Sequence, residues 1–375
     1  MAELFKDQFF NPETIGAMAD HLLRCAPDFE RSDFVRSAKK GLHGLELMQR
    51  SAQITKALHQ FLPADFEKAA EILLGTLHPE EKRDISDLET DANGLAGFIV
   101  LPMSVFVAEA GQDHFELSMS LLKAMTKCFS SEFAIRFFLL KDLKRTLRVL
   151  NKWVVDENYH VRRLVSEGSR PRLPWAMRLP VLMKDPSPLF PLLEKIKADP
   201  ELYVRRSVAN NLNDIAKDHP DRVIRTAKSW QGNSAETNWV IKHGCRTLLK
   251  QGRPEALALF GFGPVGLKGK VRLNLDKTKI CLGAKLEFEF KADVAKGKNQ
   301  KLRLEYVIDF VKANGKTSTK VFQISEKGRV GDAINFTRSH KFTELTTRKH
   351  YAGVHTLTVI VNGQKAAFAD FELKK

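Results

Sequence analysis

Two segments of this chain repeat each other 43 residues apart. Asp156-Glu-Asn-Tyr-His-Val-Arg-Arg-Leu-Val is answered by Asp199-Pro-Glu-Leu-Tyr-Val-Arg-Arg-Ser-Val. A period of about 40–47 residues with two helices per unit is the mark of HEAT-like repeats. Such units cannot bury their apolar faces alone, so they stack into a solenoid with a long concave face. In both copies an arginine pair, Arg162-Arg163 and Arg205-Arg206, opens the second helix. The repeat therefore implies an architecture and a surface that meets something anionic.

The two-helix rhythm extends to both sides. Helices are expected at His114–Cys128, Ser131–Leu140, Leu143–Val155, His160–Ser169, Leu189–Ala198, Tyr203–Lys217, Pro220–Trp230 and Glu236–Lys250. Upstream, Leu42–Leu62 and Ala64–Leu74 carry the three-and-four spacing of amphipathic helices. The apolar run Gly94–Gly111 holds Pro102 and Glu109 and is short for a bilayer span. It reads as a buried helix pair. On the second helices, Val161, Leu164, Val165 and Gly168 share one face, with Arg163, Ser166, Glu167 and Arg170 opposite. Arg206, Asn210 and Asn213 form the matching polar face one repeat later. These two polar faces are expected to line one groove.

At Gly261-Phe-Gly-Pro264 the helical pattern stops, and the period changes from 3.6 to 2. Lys285-Leu-Glu-Phe-Glu-Phe-Lys alternates strictly, and Asn314-Gly315 and Asn362-Gly363 are tight-turn signals. Seven strands are expected, near 270–276, 284–292, 301–311, 316–325, 335–342, 354–361 and 365–373. That is the pattern of an immunoglobulin-like sandwich, with Tyr351 approaching the sixth strand as in a tyrosine corner. The expected boundaries are 1–262 for an α-helical HEAT-like repeat solenoid and 263–375 for an all-β immunoglobulin-like sandwich.

The net charge of +15 suits a polyanionic partner. Residues 266–375 hold 23 Lys and Arg against 11 Asp and Glu, whereas the other 265 residues hold 37 against 34. Within the latter, 134–184 is again basic, with 12 against 4. The four cysteines lie far apart with no metal-ligand spacing, so no metal and no cofactor is expected. The first residues lack a basic segment followed by an apolar core, and a cytoplasmic protein is expected.

The densest polar constellation is Val161-Arg-Arg-Leu-Val-Ser-Glu-Gly-Ser-Arg-Pro-Arg-Leu-Pro-Trp175. Arg162, Arg163, Arg170 and Arg172 can hold phosphates by charge-assisted bonds. Pro171 and Pro174 fix a loop carrying Trp175, whose ring can meet a sugar or base. Glu167 faces the side expected to meet a polyanion, which is costly without a task. The same residues also admit a structural reading. Arg163 and Glu167 are four apart on a helix, an ordinary pair contributing about 0.2–0.5 kcal/mol.

This block, with Ser130-Ser-Glu-Phe-Ala-Ile-Arg-Phe-Phe-Leu-Leu-Lys-Asp142 and Val204-Arg-Arg-Ser-Val-Ala-Asn-Asn-Leu-Asn-Asp214, resembles the AlkC alkylpurine DNA glycosylases over the whole chain. The resemblance implies a monomeric enzyme on double-stranded DNA that excises cationic N3-methylated bases, 3-methyladenine and 3-methylcytosine, without flipping them. It implies Glu167 as principal carboxylate, Trp175 as aromatic wall, and Glu132 and Asp214 as assisting carboxylates. Trp153 and Glu157, four apart, resemble the catalytic pair of the related AlkD enzymes, so Asp156 and Glu157 compete for the role. DNA contacts are expected from Arg162, Arg163, Arg170, Arg172, Arg205, Arg206 and Asn210. In the sandwich, the loops 296–301 and 346–350 offer Lys298, Arg348 and Lys349 as a second clamp. The rival class is a non-catalytic repeat adaptor for nucleic acid or an acidic protein.

Overall fold

The computed structural model describes residues 5–79, 84, 87, 89–295, 301–327, 333–343 and 349–374. By internal contacts the chain divides into two units. The first is Met1–His219 with Trp230–Gly244, and the second is Pro220–Ser229 with Cys245–Lys375. The division differs from the expected break at 262/263, because residues 220–229 and 245–262 go with the sandwich.

The helices begin with α1 (Phe5–Phe9), α2 (Pro12–Cys25), α3 (Arg31–Lys39), α4 (Leu47–Phe61) and α5 (Phe66–Thr76). Then follow α6 (Leu101–Ala110), α7 (Phe115–Cys128), α8 (Ile135–Lys141), α9 (Leu143–Trp153), α10 (Tyr159–Gly168) and α11 (Pro180–Lys184). The last are α12 (Phe190–Ile196), α13 (Leu202–Ile215), α14 (Pro220–Trp230), α15 (Ala235–Gly244), α16 (Arg246–Lys250) and α17 (Pro254–Leu259).

Starts are set by local chemistry. Asn11, Asp65, Asp142 and Asn158 cap α2, α5, α9 and α10 by accepting from the first free N–H groups. The expected helix pair in 94–111 is instead a 3-10 turn, Gly97–Val100, leading into α6. Pro102 lies in the first turn of α6, where a missing N–H costs nothing, so it starts a helix instead of dividing two. The single helix expected at Glu236–Lys250 breaks at Cys245 into α15 and α16. Among the described residues no helix is long and apolar enough to cross a membrane.

The second helices α10, α13 and α15 pack side by side. Their apolar faces form the core as expected: Val161, Leu164, Val165, Val204 and Val208 are fully buried. Gly168 ends α10 where a Cβ would meet Ile135 Cγ2 at 2.4 Å, so α10 and α8 approach only because this position is glycine.

The second unit holds two sheets. One has order β1 (Leu267–Leu275), β3 (Lys285–Val294), β6 (Ala333–Lys341). The other has order β2 (Lys279–Cys281), β8 (Gln364–Lys374), β7 (Gly353–Val361), β4 (Leu302–Val311), β5 (Thr317–Lys327). The seven expected strands are present, with β2 as an addition. It is three residues long and pairs parallel with β8, too short to leave a period-2 signal. Asn362 and Gly363 both have positive φ, 44° and 79°, as the two-residue β7–β8 hairpin requires. The β7 corner is held by a buried histidine: His355 Nε2 lies 3.1 Å from the Tyr351 carbonyl, while the Tyr351 side chain is half-buried.

Candidate active site

Each repeat copy folds its first arginine inward onto its own loop. Arg162 Nη1 donates to the carbonyls of Asp156 (2.8 Å) and Glu157 (3.0 Å). Arg205 Nη1 does the same to Asp199 (2.6 Å) and Pro200 (2.7 Å). Arg162 then reaches the next unit in a two-pronged bond to Asp199, at 2.6 and 3.0 Å. One unit earlier Lys123 reaches Asp156 at 2.5 Å. Asp156 and Asp199 each also cap the residue two ahead through a backbone N–H. Arg162, Arg205 and Asp156 are therefore staples of the repeat ladder. Arg162 and Arg205 were expected on DNA, but every Arg162 nitrogen and Arg205 Nη1 bond within the protein.

The second arginines part company. Arg206 is exposed, whereas Arg163 turns into a buried chain of charges. Its Nη1 bonds Glu132, which lies in the turn before α8, and Ser130 at 2.8 Å. Its Nη2 lies 3.5 Å from Glu167 Oε1. That same oxygen accepts from Arg170 Nη1 at 2.7 Å, and Arg170 Nε bonds Asp214 at 2.8 Å. Lys217 closes the chain on Asp214 at 3.0 Å. The order Glu132–Arg163–Glu167–Arg170–Asp214 thus joins three carboxylates from three successive repeat elements through two arginines.

The polar faces expected to line an open groove are largely inside. Glu167 is 5% exposed, Ser166 0%, Asn213 6% and Asp214 2%. Asn211 Nδ2 ties the two helices together by donating to the Ser166 carbonyl at 2.8 Å. Burial alone would push the Glu167 carboxyl up. The Arg163 and Arg170 guanidiniums outweigh it and hold the carboxyl below its ordinary range. Burial also pulls against the charge of Arg163, but Glu132, with Tyr203 and Glu167, keeps its pKa raised. The Arg163 guanidinium stands 4.8 Å over the Tyr203 ring.

The loop after α10 is built around Arg136, which sequence reasoning passed over. Arg136 is fully buried. It donates to the carbonyls of Gly168 (2.9 Å), Arg170 (2.7 Å) and Met177 (2.7 and 2.5 Å). Burial, with Arg170 nearby, pulls its pKa down to about 10. Both ends of the loop are thereby tied to α8. Between them Trp175 is 71% exposed and has φ 63°. A bulky non-glycine residue in the left-handed region is strained, and such strain collects at functional sites. The only sequence hint of Arg136 was an arginine inside the apolar stretch Ala-Ile-Arg-Phe-Phe-Leu-Leu.

The remaining expected residues lie apart from this chain. Arg172 is engaged by Asp218 in a two-pronged bond at 3.0 and 2.8 Å. Asn210 is half-buried on α13. Trp153 is buried and Glu157 exposed, in the ladder. In the sandwich Lys349 is exposed, while Lys298 and Arg348 lie outside the described residues.

Comparison with known proteins fits this geometry. The chain is 41% identical over 375 residues to the uncharacterized protein YhaZ of Bacillus subtilis, covering all of both chains. Residues 270–375 match the family model of the YhaZ C-terminal Ig-like domain. It superposes on the Pseudomonas fluorescens alkylpurine DNA glycosylase AlkC, bound to DNA containing an abasic site analog, with TM-score 0.87 and 38% identity over 99% of each chain. The chain belongs to the AlkC family. Membership accounts for the two-part architecture, a helical-repeat region followed by an Ig-like β-sandwich, in one chain. Within the block Ser166–Trp175 the fold draws Glu167 and Arg170 into the charge chain, while Arg172 turns to Asp218.

Proposed function

We propose that this chain is a monofunctional DNA glycosylase that hydrolyses the N-glycosidic bond of cationic N3-methylated bases, 3-methyladenine and 3-methylcytosine, in double-stranded DNA. The observation that carries the reading is the pairing of Glu167 Oε1 with two guanidiniums, Arg170 at 2.7 Å and Arg163 at 3.5 Å. Two guanidiniums keep it a carboxylate at neutral pH, so it has no proton to give a leaving group. A neutral purine needs that proton. A base methylated at N3 already carries positive charge, and bond heterolysis returns the electron pair to it, so it departs neutral. The task left to the protein is the other fragment, where positive charge grows on the deoxyribose.

Glu167 stabilises that charge and orients the attacking water through an ionised oxygen. Glu132 and Asp214 assist as the neighbouring carboxylates, and Arg163, Arg170 and Lys217 keep the three from repelling one another. Trp175 offers its ring face to the sugar cation. Its rigid, strained loop holds it ready without ordering on binding. No step needs the base to leave the helix first, because charge stabilisation acts from the backbone side. Arg206 and Lys217, with exposed ends, meet phosphates, and the basic sandwich acts as a second clamp through Lys298, Arg348 and Lys349.

The test is base release from methylated duplex DNA. Wild type releases 3-methyladenine, and Glu167→Gln is slower by roughly 10²–10³-fold, the usual loss for one preorganised electrostatic group. Trp175→Ala is slowed with little change in melting temperature. Absence of release by wild type would defeat the enzyme reading and favour a binding adaptor. Glu167→Gln at wild-type speed with unchanged DNA affinity would defeat the assignment of the carboxylate. Deleting 266–375 is expected to flatten the salt dependence of DNA binding, since fewer phosphates are neutralised.

A further inference from the structure

A cavity of about 660 Å³ opens beside the Glu132–Arg163 end of the charge chain. Its lining comes from α1, α2, the 3-10 turn before α6, the α7–α8 connection, α10 and α13. Five of its lining residues carry aromatic rings. Phe9 stacks on Phe98 at 4.0 Å, Phe98 meets Phe129 at 4.6 Å, and His160 and Tyr203 lie ring to ring at 6.0 Å. Phe9, Phe98, Phe129 and Tyr203 remain only half-buried. Volume, aromatic walls and a few convergent polar groups are the attributes of a small-molecule site.

We infer that this cavity takes the free methylated nucleobase after its bond to the sugar is cut. The inference rests on reading the charge chain as the excision site, because Glu132, Ser130 and Arg163 belong to both. The walls suit a flat heterocycle, since every base has a face that stacks on aromatic rings. The polar corner of Ser130, Glu132 and Arg163 sets its edge, with the Glu132 carboxylate able to accept from the exocyclic amine. Charge decides against an intact nucleotide. The lining carries Glu89 and Glu132 against one arginine, and that arginine is already paired, so a phosphate would be repelled. A base stripped of sugar and phosphate, neutral after heterolysis, has no such penalty. The cavity thus gives the departing base a destination other than its old place opposite the abasic site.

The test is an equilibrium titration of the full chain, without DNA, with free 3-methyladenine, followed by calorimetry. Adenosine monophosphate serves as the comparison ligand. Two variants probe the cavity from opposite directions. Gln8→Trp fills it from an exposed lining position on α1, and Phe98→Ala removes the central stacking ring. The expected result is saturable one-to-one binding by wild type, at least tenfold weaker in both variants, with no binding of the nucleotide. A flat wild-type titration up to the solubility limit would overturn the inference. So would Gln8→Trp binding as tightly as wild type, or the nucleotide binding as well as the free base. No turnover enters this measurement, so its failure is separate from failure of base release, which is assayed on DNA.

Discussion

Arg136 gives the most direct test of how the site is held. Its four donor contacts reach three main-chain carbonyls, at Gly168, Arg170 and Met177, and no carboxylate among the described residues pairs with it. Arg136→Met keeps most of the volume and removes every donor. Each buried carbonyl left without a partner costs about 1–3 kcal/mol. Part is offset because a guanidinium no longer has to be desolvated. The net loss is expected near 3–5 kcal/mol, comparable to breaking other buried charged networks. For a unit of this size that lowers the melting temperature by roughly 6–20 °C. Arg136→Lys should fall between, since one ammonium reaches one end of the loop at a time. Catalysis should suffer more than DNA binding, because a shift of about 1 Å in Trp175 costs roughly 10²-fold in rate. Thermal melting and single-turnover base release on the lysine variant measure the two effects. If Arg136→Met melts within ~1 °C of wild type, the loop is not held from below and the reasoning fails.

Three other outcomes follow from the same geometry. Asp199→Asn breaks the two-pronged bond to Arg162 and should cost about 3 kcal/mol in denaturant unfolding. Arg206→Ala, at an exposed position, should change stability by less than about 0.5 kcal/mol while reducing the DNA salt slope by about one. At Trp175, with φ 63°, glycine should be about 1 kcal/mol more stable than alanine, since only glycine adopts that backbone freely. Equal stability of those two variants would remove the strain argument. The pH dependence is signed by His355 and Glu167. Burial lowers the His355 pKa below 6.5, so the unfolded chain binds its proton first; that stability is present above pH 6.5 and is lost as pH falls beneath it. Glu167 lies below 4.5, with burial outweighed by its arginines, so its contribution is present above pH 4.5 and is lost in more acid solution. Urea unfolding from pH 8 to well below pH 4.5 should show both declines, and His355→Gln should reduce only the first, to which buried His21 also contributes.

Much of the local structure was legible because it rests on short-range rules. The three-and-four spacing of the helices, the Asn362-Gly363 hairpin and the switch from period 3.6 to period 2 each act within a few positions. Strand β2 was missed because its three residues pair with β8, some ninety positions away, and carry no pattern of their own. Pro102 misled for a related reason: a proline inside an apolar run looks like a break, yet the first turn of a helix accepts it.

The site divides along the same line. By itself the chain determined the 43-residue repeat, the arginine pairs and the carboxylates that the second helices carry. It could not say which arginine of each pair is spent inside the protein. Arg162 and Arg163 are adjacent, so helical phase turns them 100° apart, and only the packed neighbours give each its partner. Asp199 in the next repeat claims Arg162, while Glu132 in the previous one claims Arg163. Likewise Glu167 matches Asn210 in repeat register, but its bridge runs through Arg170 to Asp214. A low local dielectric makes those pairings strong, and burial is a property of the stacked units, not of any one segment.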